Sequence, residues 1–124
     1  MVKTYGLTHI ALAVKDAGRS SRFYQKVFGA VETYRGEGWA QVETVGTHDV
    51  IVFTEEEHAG KAGGIQHFGF RLTDPDDIGI AAQAVEEAGG TIKSRGEFCP
   101  GAPYLFFSDP DGYEVEIWYE PERG

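Results

Sequence analysis

The chain is a series of short runs in which apolar and polar residues alternate, interrupted by two stretches with helical periodicity. The first run, Leu7 to Val14, predicts a strand with an apolar face (Ile10, Leu12, Val14) and a second face carrying His9, Ala11 and Ala13. Asp16 then predicts a helix cap, and an apolar stripe predicts a helix that ends at Gly29 (Phe23, Tyr24, Val27, Phe28). Three strand candidates separated by glycine-containing turns complete this half as β-α-β-β-β: Ala30–Arg35, Trp39–Val45 and Asp49–Thr54.

The same order of elements returns after a polar, glycine-rich stretch from Glu55 to Gly64. The run Ile65–Leu72 predicts a strand with one apolar face (Phe68, Phe70, Leu72) and a second face carrying His67, Gly69 and Arg71. Asp74 and Pro75 predict the cap and first position of a helix that runs to Gly89 and Gly90. Three further strand candidates complete the second half: Thr91–Glu97, Tyr104–Ser108 and Tyr113–Tyr119.

The two halves also share sequence. Thr8–Asp16 (THIALAVKD) aligns without a gap with Gln66–Asp74 (QHFGFRLTD), which places His9 over His67. This match, together with the repeated order of elements, indicates a duplicated module. Because each half alone would leave one sheet face bare, we expect a single α+β domain over residues 1–124. Its tandem βαβββ modules, about 5–55 and 65–120 with a linker at 56–64, would form a curved mixed sheet shaped like a cup.

Three polar side chains stand alone in apolar strand patterns: His9, His67 and Glu116. If the apolar face of each first strand packs under its helix, both histidines point away from the helices, and Glu116, between Val115 and Ile117, shares their side. Two imidazoles and one carboxylate suit a divalent transition metal with coordination positions left open. A lone histidine in a strand is more often a packed or surface residue. The equivalent positions of the two histidines in the repeats favour the metal.

Composition and charge argue against several classes of binding partner and location. Net charge is −9, which argues against nucleic acid and anionic membrane surfaces as partners. No apolar run approaches membrane-spanning length, and the start lacks the apolar region of a signal peptide. The one cysteine, Cys99, cannot form an internal disulfide, and we expect a partly buried, inert thiol in a cytoplasmic protein.

The tandem pattern, the opening LTHIALAV, the helix segment FYQKVFG and the late stretch DPDGYEVEI resemble the vicinal oxygen chelate superfamily. That group includes glyoxalase I, extradiol dioxygenases, methylmalonyl-CoA epimerase, fosfomycin resistance enzymes and bleomycin-binding proteins. The resemblance covers essentially the whole chain. It implies a divalent ion (Fe, Mn, Zn, Ni or Co) bound by His9, His67 and Glu116. The place of the family's fourth ligand falls on Ile51 when VIVF is laid over VEIW, and isoleucine cannot coordinate a metal.

Residues on the same strand faces would line the pocket of such an enzyme. Substrate-binding candidates are Trp39, Gln41, Arg71, Tyr104, Phe106 and Trp118. Catalytic candidates are the ligand Glu116 and a general base, Glu43 or Glu114. Arg71 would face an anionic substrate or pair with Glu114 or Glu43.

The resemblance favours a metal-dependent small-molecule enzyme of the glyoxalase/dioxygenase type, with lyase, isomerase or dioxygenase chemistry on an oxygenated substrate. An antibiotic-binding or antibiotic-modifying resistance protein of the bleomycin or fosfomycin type is the alternative. A fold retained for assembly, with vestigial ligands, is the third. We expect a homodimer, in which the metal ligands come from one chain or from two.

Overall fold

The computed structural model describes residues 1–121, and its elements repeat one order twice. The first half contains β1 (His9–Val14), α1 (Ala17–Phe28), β2 (Val31–Gly36), β3 (Trp39–Glu43) and β4 (Val50–Glu55). The second half contains β5 (Phe68–Arg71), a short 3-10 helix (Pro75–Asp77), α2 (Ile78–Glu87), β6 (Thr91–Glu97), β7 (Pro103–Ser108) and β8 (Glu114–Trp118). The predicted α+β class and tandem βαβββ order are confirmed.

The chain divides into two compact units, the first ending at Lys61 and the second beginning at Ala62, inside the predicted linker. The first unit contains one four-stranded sheet in the order β1-β4-β3-β2, with β1 parallel to β4 and the other pairs antiparallel. The second unit repeats this arrangement as β5-β8-β7-β6. Among residues 1–121, no helix is long and apolar enough to cross a membrane.

Two carboxylates fix the start of α1. Asp16 accepts a hydrogen bond from the backbone N–H of Arg19 at 2.9 Å, and Glu55, at the end of β4, accepts one from Ala17 at 3.0 Å. Both carboxylates satisfy N–H groups that the helix itself leaves unpaired. The helix ends at Gly29, whose φ of 67° is readily adopted only by glycine.

Each sheet has a helix face and a helix-free face. In the first unit Val42 and Phe53 are almost completely buried, and the Phe53 ring lies 5.3 Å from that of Tyr24 in α1. In the second unit the equivalent core is formed by strand residues under the buried Ala82 and Val85 of α2: Leu105, Phe107, Val115 and Ile117. Residues of opposite parity therefore lie on the helix-free face.

Both edge strands that follow the helices carry the same irregularity. The pairing of β2 with β3 shifts between Glu32 and Tyr34, and that of β6 with β7 shifts between Ile92 and Ser94. Beyond each shift, a glycine faces an aromatic residue of the next strand: Gly36 faces Trp39 and Gly96 faces Tyr104. The internal duplication therefore extends to the bulges.

Three local expectations need correction. The second helical segment begins as a 3-10 helix at Pro75, and α2 itself starts only at Ile78. Asp74 caps this 3-10 helix, because its carboxylate accepts a hydrogen bond from the N–H of Asp76 at 2.9 Å. The first turn of the segment is therefore a 3-10 helix, and the regular α-helix follows it. The strand that was predicted to include His67 starts at Phe68, so His67 lies just before it. Cys99 is exposed, because it lies in the turn between β6 and β7.

A hydrogen-bond network fastens α1 to β2. Glu32 Oε1 accepts from the hydroxyl of the fully buried Ser21 at 2.8 Å and from the Arg35 guanidinium at 2.6 Å. These bonds lower the pKa of the Glu32 carboxyl, the bond from Arg35 being the larger cause. A lowered native-state pKa contributes stability above the unfolded-state pKa, and that contribution disappears as pH falls through the native-state pKa.

We expect Glu32→Gln to lower the free energy of unfolding by about 1 kcal/mol at pH 7, because it weakens charged hydrogen bonds at a partly exposed site. The difference from the parent should shrink as pH falls below the ordinary glutamate pKa of about 4.3 and through the lower native-state pKa of Glu32. Urea unfolding across pH measures both. Glu57→Gln in the exposed linker is the control, and an equal pH dependence in the two variants would contradict the assignment.

Candidate metal site

A tight turn sets the register of β8. The buried Asp109 carboxylate accepts hydrogen bonds from the backbone N–H groups of Asp111 at 3.0 Å and Tyr113 at 2.9 Å. Gly112 supplies the positive φ of 94° that closes the turn. With this register, Val115 and Ile117 are almost completely buried on the helix face, and Glu116 lies on the helix-free face.

His67 and Glu116 face each other. His67 Nε2 lies 3.6 Å from Glu116 Oε1, and both side chains are mostly buried, with 28% and 13% of their surface exposed. Gly69, opposite Glu116 on β5, makes room for this approach. A Cβ at Gly69 would lie 3.1 Å from the Glu116 carbonyl oxygen and 3.3 Å from its Cβ, so a larger residue would displace β8.

The His67 imidazole is oriented by an aromatic contact. Its ring meets the edge of Phe106 at a centroid distance of 5.0 Å and an interplanar angle of 88°. Its Nδ1 atom is buried and has no hydrogen-bond partner among residues 1–121. Packing against Phe106 therefore directs Nε2 toward Glu116, without help from a hydrogen bond at Nδ1.

The donor set of this pair fits a divalent metal ion. The 3.6 Å between Nε2 and Oε1 exceeds the usual hydrogen-bond range. Two ligand atoms about 2.0–2.2 Å from one ion in tetrahedral geometry lie about 3.4 Å apart. Burial raises the pKa of the Glu116 carboxyl, against a smaller opposing effect of His67, as expected for a carboxylate lacking a strong cationic partner. A cation between the two groups would remove this penalty.

The third predicted ligand, His9, belongs to the first unit. It is the first residue of β1, is exposed, and pairs in register with Val50 of β4. Among the described residues, neither unit contains by itself a group of three or more His, Cys, Asp or Glu side chains suited to a metal ion. The second unit therefore supplies two of the three predicted donors.

The position equivalent to Glu116 in the first unit is Val52, and the expected Ile51 is wrong. Ile51 is 7% exposed and pairs with the buried Val42, so it lies on the helix face. Val52 is opposite Ala11 on β1, just as Glu116 is opposite Gly69 on β5. Aligning the strands by their letters shifted the comparison by one residue, which reverses the face. The valine, like the isoleucine, lacks a donor atom for a metal ion.

The predicted pocket residues of the first unit share its helix-free face. Trp39, Gln41 and Glu43 alternate along β3 with the buried Ala40 and Val42. Gln41 Nε2 donates to Thr33 Oγ1 at 3.2 Å and, more weakly, to Glu43 Oε1 at 3.4 Å. The Glu43 carboxylate therefore accepts one weak hydrogen bond, from Gln41.

The predicted pocket residues of the second unit surround the His67–Glu116 pair. Phe106 is opposite Glu116, and Tyr104 is opposite Trp118. Arg71 donates to the Glu120 carbonyl oxygen at 2.7 Å and lies 5.8 Å from the Trp118 ring. Pairing with Glu114 was one of the alternatives for Arg71, but Glu114 pairs with Lys93 at 3.3 Å.

Phe98 was missed by the sequence reasoning. Its ring stacks on that of Tyr104 at 4.4 Å, which extends the aromatic surface beyond the predicted residues. Phe98 follows the predicted strand, in a turn segment without periodicity. The only sequence signal was an aromatic residue beside a glycine-containing turn.

The comparisons with known proteins agree with this geometry. Residues 6–117 match the family model of the Glyoxalase/Bleomycin resistance protein/Dioxygenase superfamily. The chain is 28% identical over 124 residues to catechol-2,3-dioxygenase of Bacillus subtilis, covering 94% of this chain but only 43% of that protein. It is 26% identical over 119 residues to the metallothiol transferase FosB of Bacillus licheniformis, covering 93% of this chain and 75% of that protein.

Solved structures share the fold. An integron cassette protein from a harbour sewage metagenome is 26% identical, with a TM-score of 0.75, and the match covers 94% of this chain and 100% of that one. A mutant of the fosfomycin resistance protein FosX from Listeria monocytogenes, solved with Mn(II) and 1S,2S-dihydroxypropylphosphonic acid, is 22% identical with a TM-score of 0.77. That match covers 93% of this chain and 90% of the other, and at this identity it shows the fold alone.

We expect Asp109→Ala to lower the free energy of unfolding by about 2–4 kcal/mol, because two backbone N–H groups lose a buried charged acceptor. Both N–H groups donate to the same oxygen, Oδ1, so Asp109→Asn keeps both bonds without the charge and should lose about half as much. Chemical denaturation of the two variants measures the difference. Equal stability of Asp109→Ala and the parent would show that the turn does not fix β8.

Proposed function

Because this chain belongs to the glyoxalase/bleomycin resistance protein/dioxygenase superfamily, we propose that it is a metal-dependent small-molecule enzyme of the glyoxalase/dioxygenase type. The observation that carries the proposal is the His67–Glu116 pair, with its 3.6 Å separation and limited exposure. We assign His9 as the third ligand, because it aligns with His67 in the internal repeat and lies on the equivalent strand.

A divalent ion bound by these residues would act as a Lewis acid toward neighbouring oxygens of a substrate and stabilise negative charge there. The ion would be Fe, Mn, Zn, Ni or Co, since two imidazoles and a carboxylate accept all of these. Three protein ligands leave coordination positions for a substrate. The valine at position 52 is consistent with three ligands rather than four.

The chain's own residues would orient the substrate and move its proton. Glu116 would help to bind the ion and share its charge, while Glu43, on the helix-free face of β3, would act as general base. We assign substrate-binding roles to five residues on the helix-free faces: Trp39, Gln41, Tyr104, Phe106 and Trp118. Arg71 borders Trp118, and its bond to the Glu120 carbonyl leaves other guanidinium N–H groups for an anionic substrate.

A resistance enzyme of the fosfomycin type is the second candidate. The similarity to the metallothiol transferase FosB, which spans 93% of this chain and 75% of that protein, supports it. The cations of β6 argue against a phosphonate site. Lys93 is paired with Glu114, and Arg95 is opposite the buried Leu105, on the helix face.

Substitution of His67 tests the metal site. We expect the parent to bind one divalent ion per chain, and His67→Ala to weaken that binding more than about 100-fold, because residues around metal ligands alone contribute about 10–100-fold. Metal analysis after purification, followed by titration of Co(II), measures this. His58→Ala, in the exposed linker, is the control. Equal metal binding by parent and His67→Ala would exclude the site.

The same samples test the proposed homodimer. We expect light scattering to give twice the 13.6 kDa of one chain. Mixing His9→Ala with His67→Ala chains then reports the origin of the ligands, since recovered metal binding in the mixture requires ligands from two chains. A molar mass of one chain at micromolar concentration would contradict the homodimer.

Substrate assays separate the two candidate functions. Parent protein loaded with each metal would be tested with catechol and oxygen, with S-lactoylglutathione, and with fosfomycin in the presence and absence of cysteine. We expect turnover of one of the first two, lost in His67→Ala. Turnover of fosfomycin alone would transfer the assignment to the resistance class.

A further inference from the structure

A continuous row of aromatic rings leads away from the His67–Glu116 pair. Phe106 contacts His67 at 5.0 Å, Tyr104 contacts Phe106 at 5.8 Å, and Phe98 stacks on Tyr104 at 4.4 Å with an angle of 22°. We call Phe98, Tyr104 and Phe106 the aromatic row. Tyr104 and Phe106 share the helix-free face of β7, because they alternate with the buried Leu105 and Phe107.

A glycine makes the outer part of the row possible. The Tyr104 ring lies over Gly96 of β6, where an added Cβ would be 2.9 Å from the Tyr104 hydroxyl. With no side chain at position 96, the tyrosine can extend toward the strand edge and meet Phe98. Gly96 has no positive φ, so its lack of a side chain, and not its backbone conformation, is what the arrangement uses.

The turn that carries Phe98 is held by hydrogen bonds. The Phe98 N–H donates to the Ala102 carbonyl at 3.0 Å, and the Ala102 N–H donates to the Cys99 carbonyl at 2.9 Å. Glu97 accepts from the N–H of Gly101 at 3.1 Å. Phe98 is nevertheless 60% exposed. Its ring is therefore kept in place by the turn and by stacking, and much of its surface is free to contact a ligand.

Charge is absent from the row itself. Lys93 and Glu114 neutralise each other, and Glu114 pairs with Ser108 at the end of β7 opposite to Tyr104. Arg95 lies on the helix face. An uncharged, planar group would gain both apolar contact and ring stacking on Phe98 and Tyr104.

We propose that the aromatic row binds an uncharged planar ring of the substrate, so that Phe98 and Tyr104 select compounds with an aromatic group attached to the metal-bound oxygens. This substrate class rests on the proposed function, which places those oxygens at His67 and Glu116. Binding of the ring itself needs only the row.

Chelator-treated protein allows the row to be tested without metal. The probes are 1-naphthol and its saturated analogue decahydro-1-naphthol, which has the same skeleton but no planar ring, and calorimetry measures their dissociation constants. We expect tighter binding of 1-naphthol, and a loss of about 3- to 10-fold in Phe98→Ala, the range of one aromatic contact. Phe98→Leu keeps an apolar group without a planar face and should lose an intermediate amount.

Ile80→Ala is the matched control, since Ile80 is a large apolar residue of α2 that is 69% exposed. It should bind 1-naphthol as the parent does, and circular dichroism verifies the fold of each variant. Equal binding of the two probes, equal affinity in Phe98→Ala and Ile80→Ala, or no binding of 1-naphthol would each overturn the proposal.

His67→Ala separates this inference from the proposed function. If His67→Ala loses the metal, but its dissociation constant for 1-naphthol stays within about 10-fold of the parent value, the result supports both the proposed function and the aromatic row. Tenfold is the range of one aromatic contact. Retained metal binding in His67→Ala would contradict the proposed function alone. Equal binding of 1-naphthol and decahydro-1-naphthol by the parent would contradict the aromatic row alone.

Discussion

The alternation of β8 is the constraint on which the candidate site depends. Val115 and Ile117 are almost completely buried on the helix face, and burying each contributes about 1.5–3 kcal/mol. A slip of one residue would expose both and turn the Glu116 carboxylate into the apolar core, at a further cost of several kcal/mol. The Asp109 turn prevents that slip. Glu116 is therefore directed toward His67 by core packing and turn geometry, even though neither feature involves the other proposed metal ligands, His9 and His67.

Much of the fold follows from patterns that depend on short-range physics. Alternating side chains, helix caps such as Asp16 and the positive-φ glycine at position 29 act within a few residues, so the element order could be predicted. The alignment of the segments that contain His9 and His67 indicated the internal duplication. The same parity argument placed Glu116 on the face opposite Val115 and Ile117, and the structure brings it to 3.6 Å from His67.

The remaining features depend on contacts between strands and between distant segments, which the alternation of side chains along one strand does not predict. Ile51 was chosen by matching residue types between two strands. The strand pairing instead makes Val52, opposite Ala11, the equivalent of Glu116, opposite Gly69. Arg71 meets the Glu120 carbonyl, a partner 49 residues away in a segment without periodicity. Phe98 joins the aromatic row only because Gly96 leaves space for Tyr104. Each case requires the register of neighbouring strands, which a single sequence does not give.

X-ray absorption of the Co(II)-loaded protein tests the central claim most directly, because it reports the atoms around the ion. The proposed site predicts nitrogen and oxygen ligands at about 2.0–2.2 Å, scattering from two imidazole rings, and loss of one ring in His67→Ala. A ligand at about 2.3 Å, the distance of a thiolate such as that of Cys99, or an unchanged spectrum in His67→Ala, would contradict it.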